Sequence, residues 1–301
     1  MIKPMLAGLG NEHLLNNKNY IFEAKLDGIR AICVKENSKL RFFSRNGIDI
    51  TKQYPEFDFL KKIKAEECVL DGEIVIYDKN GNPNFTLWQE RKSLNTIPSS
   101  LLATYVVFDI LSADGKDLTR IPLTKRKGIL EKTIENGNRI QTSFWTENGM
   151  ALWDIVKKRK LEGVIAKGTN SFYTPGRRTD SWLKIKIFKT IDCVVLGFTQ
   201  EKRALTSLML GLYFMDKLIF CGRVGTGYDE NTIKELRSKL DKIKIEKSSA
   251  DEFPADAFAV KPAYVAEVKY QEITKDKKLR APVFLRLRDD KKPEECVLEA
   301  N

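Results

Sequence analysis

Residues 22–28 read FEAKLDG and combine an apolar alternation with a concentration of charge. Side chains alternate between the two faces of a β-strand, so the apolar side chains share one face while Glu23, Lys25 and Asp27 share the other. The pattern predicts a strand over residues 22–26. Taken alone, it favours a half-exposed strand whose charges compensate one another.

A second stretch, residues 181–187, reads SWLKIKI. Alternation places Lys184 and Lys186 on one face of a predicted strand and two isoleucines on the other. Two lysines at this spacing suit neighbouring phosphate oxygens. A solvated strand edge, where lysine prevents aggregation, is the alternative.

Glu73 and Glu162 lie within strand-like apolar segments, and Phe108 precedes Asp109 in a third such segment. A buried carboxylate is costly unless it is paired. These acids therefore bind a metal or ribose hydroxyls, or pair with structural arginines. Phe108 is most simply a core residue, and only a nucleotide site would make it a stacking platform.

These segments become informative through their order along the chain. The series resembles motifs I, Ia, III, IIIa, IV and V of the covalent nucleotidyltransferases, the superfamily of DNA ligases and mRNA capping enzymes. The matching segments are KLDGIR (25–30), SRNG (44–47), DGE (71–73), FD (108–109), EGVIAK (162–167) and WLKIK (182–186).

The remainder of the chain resembles ATP-dependent DNA ligases in particular. Residues 280–284 (RAPVF) and 288–291 (RDDK) look like motif VI of those enzymes. Residues 222–227 (GRVGTG) and 265–268 (VAEV) resemble the ligase modules of prokaryotic nonhomologous end-joining enzymes. The glycine stretch is not a P-loop, because no Gly-Lys-Ser/Thr follows it.

The segment pattern and the resemblance together predict an α+β fold with two domains. Residues 1–189 are expected to form an adenylation (nucleotidyltransferase) domain with mixed or antiparallel sheets and flanking helices. Residues 190–301, with short strands around one predicted helix, are expected to form a β-barrel OB-fold domain. Strands are predicted at 22–26, 40–44, 69–77, 105–111, 163–167, 193–197, 209–214, 218–224 and 264–270, and a helix at 147–160.

The resemblance implies a DNA ligase reaction in three phosphoryl transfers. Lys25 attacks the α-phosphate of ATP to form lysyl-AMP, AMP passes to the 5′-phosphate of a nick, and the 3′-hydroxyl displaces AMP. By this resemblance, Lys184 and Lys186 are expected to bind the α-phosphate. Arg288, Asp290 and Lys291 are expected, by the same resemblance, to orient the departing pyrophosphate.

The same resemblance implies a nucleotide site and a metal site. Mg²⁺, with Mn²⁺ as the alternative, would be placed by Glu162 together with Glu73 and Asp27. The implied nucleotide contacts are Glu23 to the adenine amino group, Phe108 and Val164 on the two faces of the base, Arg30 and Glu73 to ribose, Arg45 to the nucleotide or the DNA 5′-phosphate, and Arg177 to a phosphate.

Composition indicates a polyanionic partner and argues against a zinc site and a membrane segment. The 301 residues carry a net charge of +11 with a pI near 9.2, which suits a polyanion such as nicked double-stranded DNA. The five cysteines contain no C-x-x-C and His13 is the only histidine, so we expect no zinc site. We expect no membrane segment and a cytoplasmic monomer, nucleoid-associated if prokaryotic. A DNA end-binding protein and a repair polymerase, supplied as separate chains, are further candidate partners.

Two other functions fit part of the sequence. An mRNA guanylyltransferase or an RNA ligase would share the nucleophilic lysine, although residues 222–227 and 288–291 favour a DNA ligase. A non-catalytic OB-fold protein that binds nucleic acid would need neither Lys25, Glu162 nor Lys184. Labelling with ATP or GTP separates these alternatives.

Overall fold

The computed structural model describes residues 2–201 and 204–299. Contacts divide the chain into two compact units, Met1–Ile187 and Phe188–Asn301. Among the described residues, no helix has the length and apolarity that crossing a bilayer requires.

The described residues of the first unit form two β-sheets and three α-helices. Its helices are α1 (Phe85–Lys92), α2 (Leu123–Thr133) and α3 (Gly149–Lys158). Its strands are β1 (Leu6–Leu9), β2 (Tyr20–Ala24), β3 (Ile29–Glu36), β4 (Lys39–Ser44), β5 (Cys68–Val75), β6 (Thr104–Ala113), β7 (Lys116–Asp117), β8 (Ile140–Thr142), β9 (Trp145–Thr146), β10 (Gly163–Gly168) and β11 (Arg178–Lys186).

One sheet has the strand order β1-β11-β10-β2-β9. Its central strand β10 runs antiparallel to both β2 and β11, whereas β1 runs parallel to β11. In this register Ile165 lies opposite Glu23 on one side and opposite Lys184 on the other. Directly opposed residues share a face, so the charged side chains of motifs I and V are collected on one surface of the sheet.

The other sheet has the order β4-β3-β5-β6-β7, with β8 added parallel to β6. Arg30 on β3 lies opposite Glu73 on β5. Aromatic packing of Phe42, Phe59 and Tyr105 fills the core beneath this sheet. The mixed sheets and flanking helices confirm the predicted α+β character of this part of the chain.

Helix α3 falls inside the predicted range 147–160 and covers the first sheet. Asn148 caps its N-terminus by accepting a hydrogen bond from the backbone N–H of Ala151 at 3.0 Å. Leu152, Trp153 and Val156 are buried against the apolar side of the sheet. This packing explains why Phe22 lies in the core while Glu23 points to the opposite side.

Strand β2 ends one residue before Lys25, although the predicted strand continues to residue 26. The backbone N–H of Lys25 still donates to the carbonyl of Gly163 at 2.8 Å. The lysine is therefore positioned by the sheet although it follows the strand.

In the part of the second unit that the structure describes, the chain forms one six-stranded sheet and helix α4 (Glu230–Asp241). Its strands are β12 (Lys189–Glu201), β13 (Ala204–Phe214), β14 (Lys217–Val224), β15 (Phe258–Ala259), β16 (Val265–Tyr270) and β17 (Val283–Leu287). The order is β14-β13-β12-β16-β17, with β15 paired to β12, and the strand pairings of the described residues leave this path open. Leu236 and Leu240 of α4 pack into its core, as their helical spacing predicts.

A buried ion pair joins α2 to β6. The guanidinium of Arg126 donates to both carboxylate oxygens of Asp109 at 2.7 and 2.8 Å, and both side chains are fully buried. The same guanidinium donates to the carbonyl of Ser171 at 3.0 Å. Asp109, which belongs to the FD motif, is therefore a structural residue in this protein.

We predict that Asp109→Ala lowers the free energy of unfolding by about 3–5 kcal/mol, because it leaves a buried guanidinium without its counter-charge. Urea denaturation measures the change. Asp154→Ala is the matched control, since the Asp154–Lys157 pair is exposed and contributes less than about 1 kcal/mol. A loss for Asp109→Ala no larger than that of the control would contradict the structural role.

Candidate active site

A cavity of about 230 Å³ opens in the first unit. It collects side chains from both sheets, and most of them come from the predicted motifs. The predicted residues in its wall are Glu23, Lys25, Arg30, Arg45, Glu73, Phe108 and Lys184. Ser143, Ile165, Lys167, Arg178 and Trp182 also line it and were not predicted.

Lys25 contacts Glu162 at this cavity, and Glu162 also accepts Lys186 at 3.0 Å. Burial opposes the charge on Glu162, but the two lysines outweigh it and lower the pKa of this carboxyl. The following residue, Gly163, has a φ of +152°, and a Cβ there would lie 2.1 Å from the carbonyl oxygen of Ile185. Glycine thus lets β10 approach β11 closely enough for Glu162 to bridge the two lysines.

Lys184 lies on the same face as this pair and lines the cavity. Burial and the positive charges of Lys186, Arg178 and Lys25 lower its pKa. Several cations held together without equal negative charge favour an anionic ligand. The arrangement suits a phosphate group close to the Lys25 amine.

The wall of the cavity also combines aromatic rings with a partly buried arginine. Arg30 donates to both carboxylate oxygens of Asp71 at 2.6 Å and lies 4.4 Å from the centroid of the Phe108 ring. Asp71 also accepts the hydroxyl of Tyr173 at 2.6 Å. The guanidinium is thus fixed, while burial raises the pKa of Glu73 to about 7.

Glu23 is buried between two lysines. Its Oε1 lies 2.6 Å from Nζ of Lys127 and 2.8 Å from Nζ of Lys167. Burial works against the charge of Glu23, but the lysines dominate and lower its pKa. Lys127 lies in none of the motifs, and no sequence signal identified it, because its role follows only from the packing of α2.

Val164 does not lie at this cavity, which corrects the expectation that it covers one face of the base. It is fully buried with Phe22, Ala166 and Ile185 on the far side of the sheet. Ile165, opposite Glu23 in the register, lines the cavity instead. Strand alternation applied to residues 162–167 would have identified Ile165.

A similar one-residue difference occurs at the start of β11. Both arginines are exposed, but Arg178 lines the cavity whereas Arg177 is absent from its wall. The backbone carbonyl of Arg177 accepts the N–H of Leu6 at 2.8 Å. Arg178 is therefore the better placed phosphate ligand.

The carboxylates expected to place a metal ion do not form a complete ligand set. In residues 2–201 and 204–299, no three His, Cys, Asp or Glu side chains are grouped closely enough to hold one. Mg²⁺, however, is commonly bound through one or two carboxylates plus substrate phosphates. Glu162, ionised and next to Lys25, fits that mode.

Arg288, Asp290 and Lys291 lie in the second unit. Arg288 donates to Asp290 at 2.7 and 2.8 Å, and to Asp192 at 3.2 Å. Lys291 lies 3.0 Å from Asp192. Asp192 therefore forms ion pairs with both cations, a role that no sequence signal indicated.

Two family descriptions match most of the chain. Residues 4–186 match the ATP dependent DNA ligase domain, and residues 201–291 match the ATP dependent DNA ligase C terminal region. The chain belongs to the ATP-dependent DNA ligases.

Individual ligases resemble the chain over nearly its full length. The multifunctional non-homologous end joining protein LigD of Mycolicibacterium smegmatis is 37% identical over 306 residues, which cover 98% of this chain and 39% of that protein. The chain thus spans about two fifths of that relative.

Two solved ligase structures resemble the whole chain. The ligase domain of M. tuberculosis LigD is 32% identical with a TM-score of 0.58. A mycobacterial DNA ligase D complexed with ATP and MES is 33% identical with a TM-score of 0.59. Each comparison covers 99% of this chain and 98% of the other.

We predict that Ile165→Ala and Val164→Ala affect this ligase differently. Ile165→Ala removes apolar surface from the cavity wall and should weaken ATP binding by about tenfold. Val164→Ala should leave ATP affinity unchanged and lower the free energy of unfolding by about 1–3 kcal/mol. Nucleotide titration and urea denaturation of both variants measure the two effects. The opposite pattern would show that Val164, and not Ile165, contacts the base.

Proposed function

We propose that this protein is an ATP-dependent DNA ligase that seals 5′-phosphate/3′-hydroxyl nicks through lysyl-AMP and adenylylated DNA. The observation that carries the proposal is the placement of Lys25. Its amine contacts Glu162 at a cavity whose wall includes Lys184, Arg45 and Arg178. An amine beside several cations suits attack on a phosphate.

The first transfer needs a neutral amine and a neutralised phosphate. Glu162 contacts the Lys25 ammonium, so it is the group placed to accept the proton. Lys184 and Lys186 then balance the charge that develops on the α-phosphate. Mg²⁺ or Mn²⁺, held by Glu162 together with the phosphates of ATP, would add charge neutralisation. Phosphoryl transfer depends chiefly on such positioning and charge.

The nucleotide itself is proposed to lie against Phe108 and Ile165. Arg30 and Glu73 face its ribose, and Glu23 reads the adenine amino group. Arg45 is exposed at the cavity, which suits a contact with either the nucleotide or the DNA 5′-phosphate.

We expect Lys25→Ala to abolish covalent AMP uptake while binding to nicked DNA remains measurable, because the variant loses the nucleophile but keeps the basic surface. Incubation with α-labelled ATP followed by denaturing electrophoresis measures the transfer. Mass spectrometry of the wild type should find a single AMP on Lys25.

Lys158→Ala, at an exposed lysine of α3, serves as the control and should label normally. An adduct on another residue of the wild type would refute the assignment. Labelling by GTP in place of ATP would instead favour a guanylyltransferase.

The second unit is proposed to be an OB-fold. Its helix α4 follows the third long strand, β14, and precedes β16, as in that fold. The backbone N–H of Phe284 on β17 donates at 2.9 Å to the carbonyl of Thr226, just beyond β14. This bond brings the two ends of the open strand path together. Residues 1–189 would then form the adenylation domain and residues 190–301 the OB-fold domain.

We propose a role in DNA repair by nonhomologous end joining. The support is the similarity to LigD proteins over almost the whole chain. A monomer acting in the cytoplasm or on the nucleoid, with an end-binding protein and a repair polymerase as separate chains, fits this role. The net charge of +11 suits the DNA substrate.

Arg288 is expected to act only in the first transfer, where pyrophosphate leaves. Arg288→Ala should therefore fail to seal a 5′-phosphate nick with ATP, with a loss on the order of 10³-fold. It should seal a pre-adenylylated nick without ATP at a nearly wild-type rate. Lys184→Ala, which removes a contact to the α-phosphate, should impair both reactions.

Gel assays of the two substrates measure these rates side by side. An equal loss on both substrates for Arg288→Ala would show that the Arg288–Asp192–Lys291 group serves DNA binding or folding instead. Lys291→Ala should behave as Arg288→Ala does.

A further inference from the structure

The Glu23 carboxylate is held from two separate elements. Lys127 reaches it from α2 and Lys167 from β10, and both ammonium groups make their closest approach to the same oxygen, Oε1. All three side chains are at most 3% exposed. These contacts are ion pairs rather than well-directed hydrogen bonds. A carboxylate this deeply buried stays charged only if cations accompany it.

The two lysines stand in different relations to the cavity. Lys167 lines its wall, and its ammonium lies 4.3 Å from the centroid of the Phe108 ring and 4.2 Å from that of the Trp182 ring. Lys127 contacts Glu23 but is absent from the cavity wall. Lys127 can therefore be replaced without removing a group that a ligand in the cavity would touch.

The ammonium of Lys127 forms an ion pair with Glu23. Its neighbour Arg126 already engages both oxygens of Asp109, the other buried acid near α2. Among the described residues, Glu23 is the carboxylate that forms an ion pair with Lys127. Burial lowers the pKa of Lys167, the other cation on Glu23, to about 8.

The chemistry of purines gives this arrangement a consequence. Adenine presents an exocyclic amino donor at C6, whereas guanine and hypoxanthine present a carbonyl oxygen there. An ionised carboxylate only accepts hydrogen bonds, whereas a protonated one can also donate. A fixed, charged Glu23 would accept a bond from adenine and repel a base with a C6 carbonyl.

We propose that Lys127 is a positioning residue for base selection. It holds Oε1 of Glu23, so that Oε2 remains as the charged acceptor directed at the C6 amino group of the nucleotide. This inference rests on the proposed function, in which the cavity binds ATP. It adds a residue of α2, outside every motif, to the groups that determine which nucleotide reacts with Lys25.

Nucleotide transfer to the protein from α-labelled ATP and α-labelled ITP tests this role, with kcat/KM compared for the two. Lys127→Met keeps the length of the side chain and removes its charge. The preference for ATP over ITP should fall about 10–100-fold, the range for a hydrogen bond to a charged group. Lys127→Arg should restore part of the preference. Lys125→Met, an exposed position on the same helix, should leave it unchanged.

A double-mutant cycle separates this role from a purely structural one. If Lys127 acts through Glu23, Glu23→Gln and the double variant Glu23→Gln/Lys127→Met should share the same low ATP preference. This pair decides the matter even if Lys127→Met alone does not fold, because the comparison does not use that variant.

Two results would overturn the inference. One is a wild-type ATP preference in folded Lys127→Met, and the other is a further change of preference when Lys127→Met is added to Glu23→Gln. Absence of label from both nucleotides on the wild-type protein would instead refute the proposed function.

Discussion

The antiparallel register of β10 between β2 and β11 is the constraint on which the site depends. It sets Ile165 opposite both Glu23 and Lys184, and Gly163 opposite Lys186. A slip of one residue would turn every side chain of the moved strand to the other face. The apolar packing of α3 against the far side prevents such a slip, because it would bring Val164 and Ala166 out of the core.

In and around this cavity, each deeply buried acid pairs with at least one cation. Asp71 takes Arg30, Asp109 takes Arg126, and Glu23 takes two lysines. The single negative charge of Glu23 balances only one of its two lysines, and Lys184 lies nearby. The cavity therefore retains positive charge. The first two pairs stabilise the fold, whereas the surplus favours an anionic ligand.

Sequence order predicted the α+β character of the first unit and seven of the residues in the cavity wall, because motif residues on strands obey alternation. Its errors have physical causes. Val164 was chosen by its place in the motif, although the alternation of side chains along its strand places it in the core. Arg30 lies in the cavity wall, but its ion pair with Asp71 was not predicted. Lys127 and Asp192 could not be identified, since their partners lie about a hundred residues away and only folding brings them together.

Helix α2 has a consequence for how this chain can vary in length. Arg126 and Lys127 are adjacent, yet one anchors the helix to β6 and the other supports Glu23 on β2. Each residue added to or deleted from an α-helix rotates everything after it by about 100°. An insertion between Pro122 and Arg126 would therefore displace the structural anchor and the support of Glu23 together. Changes in length are expected to be confined to the loops around this helix.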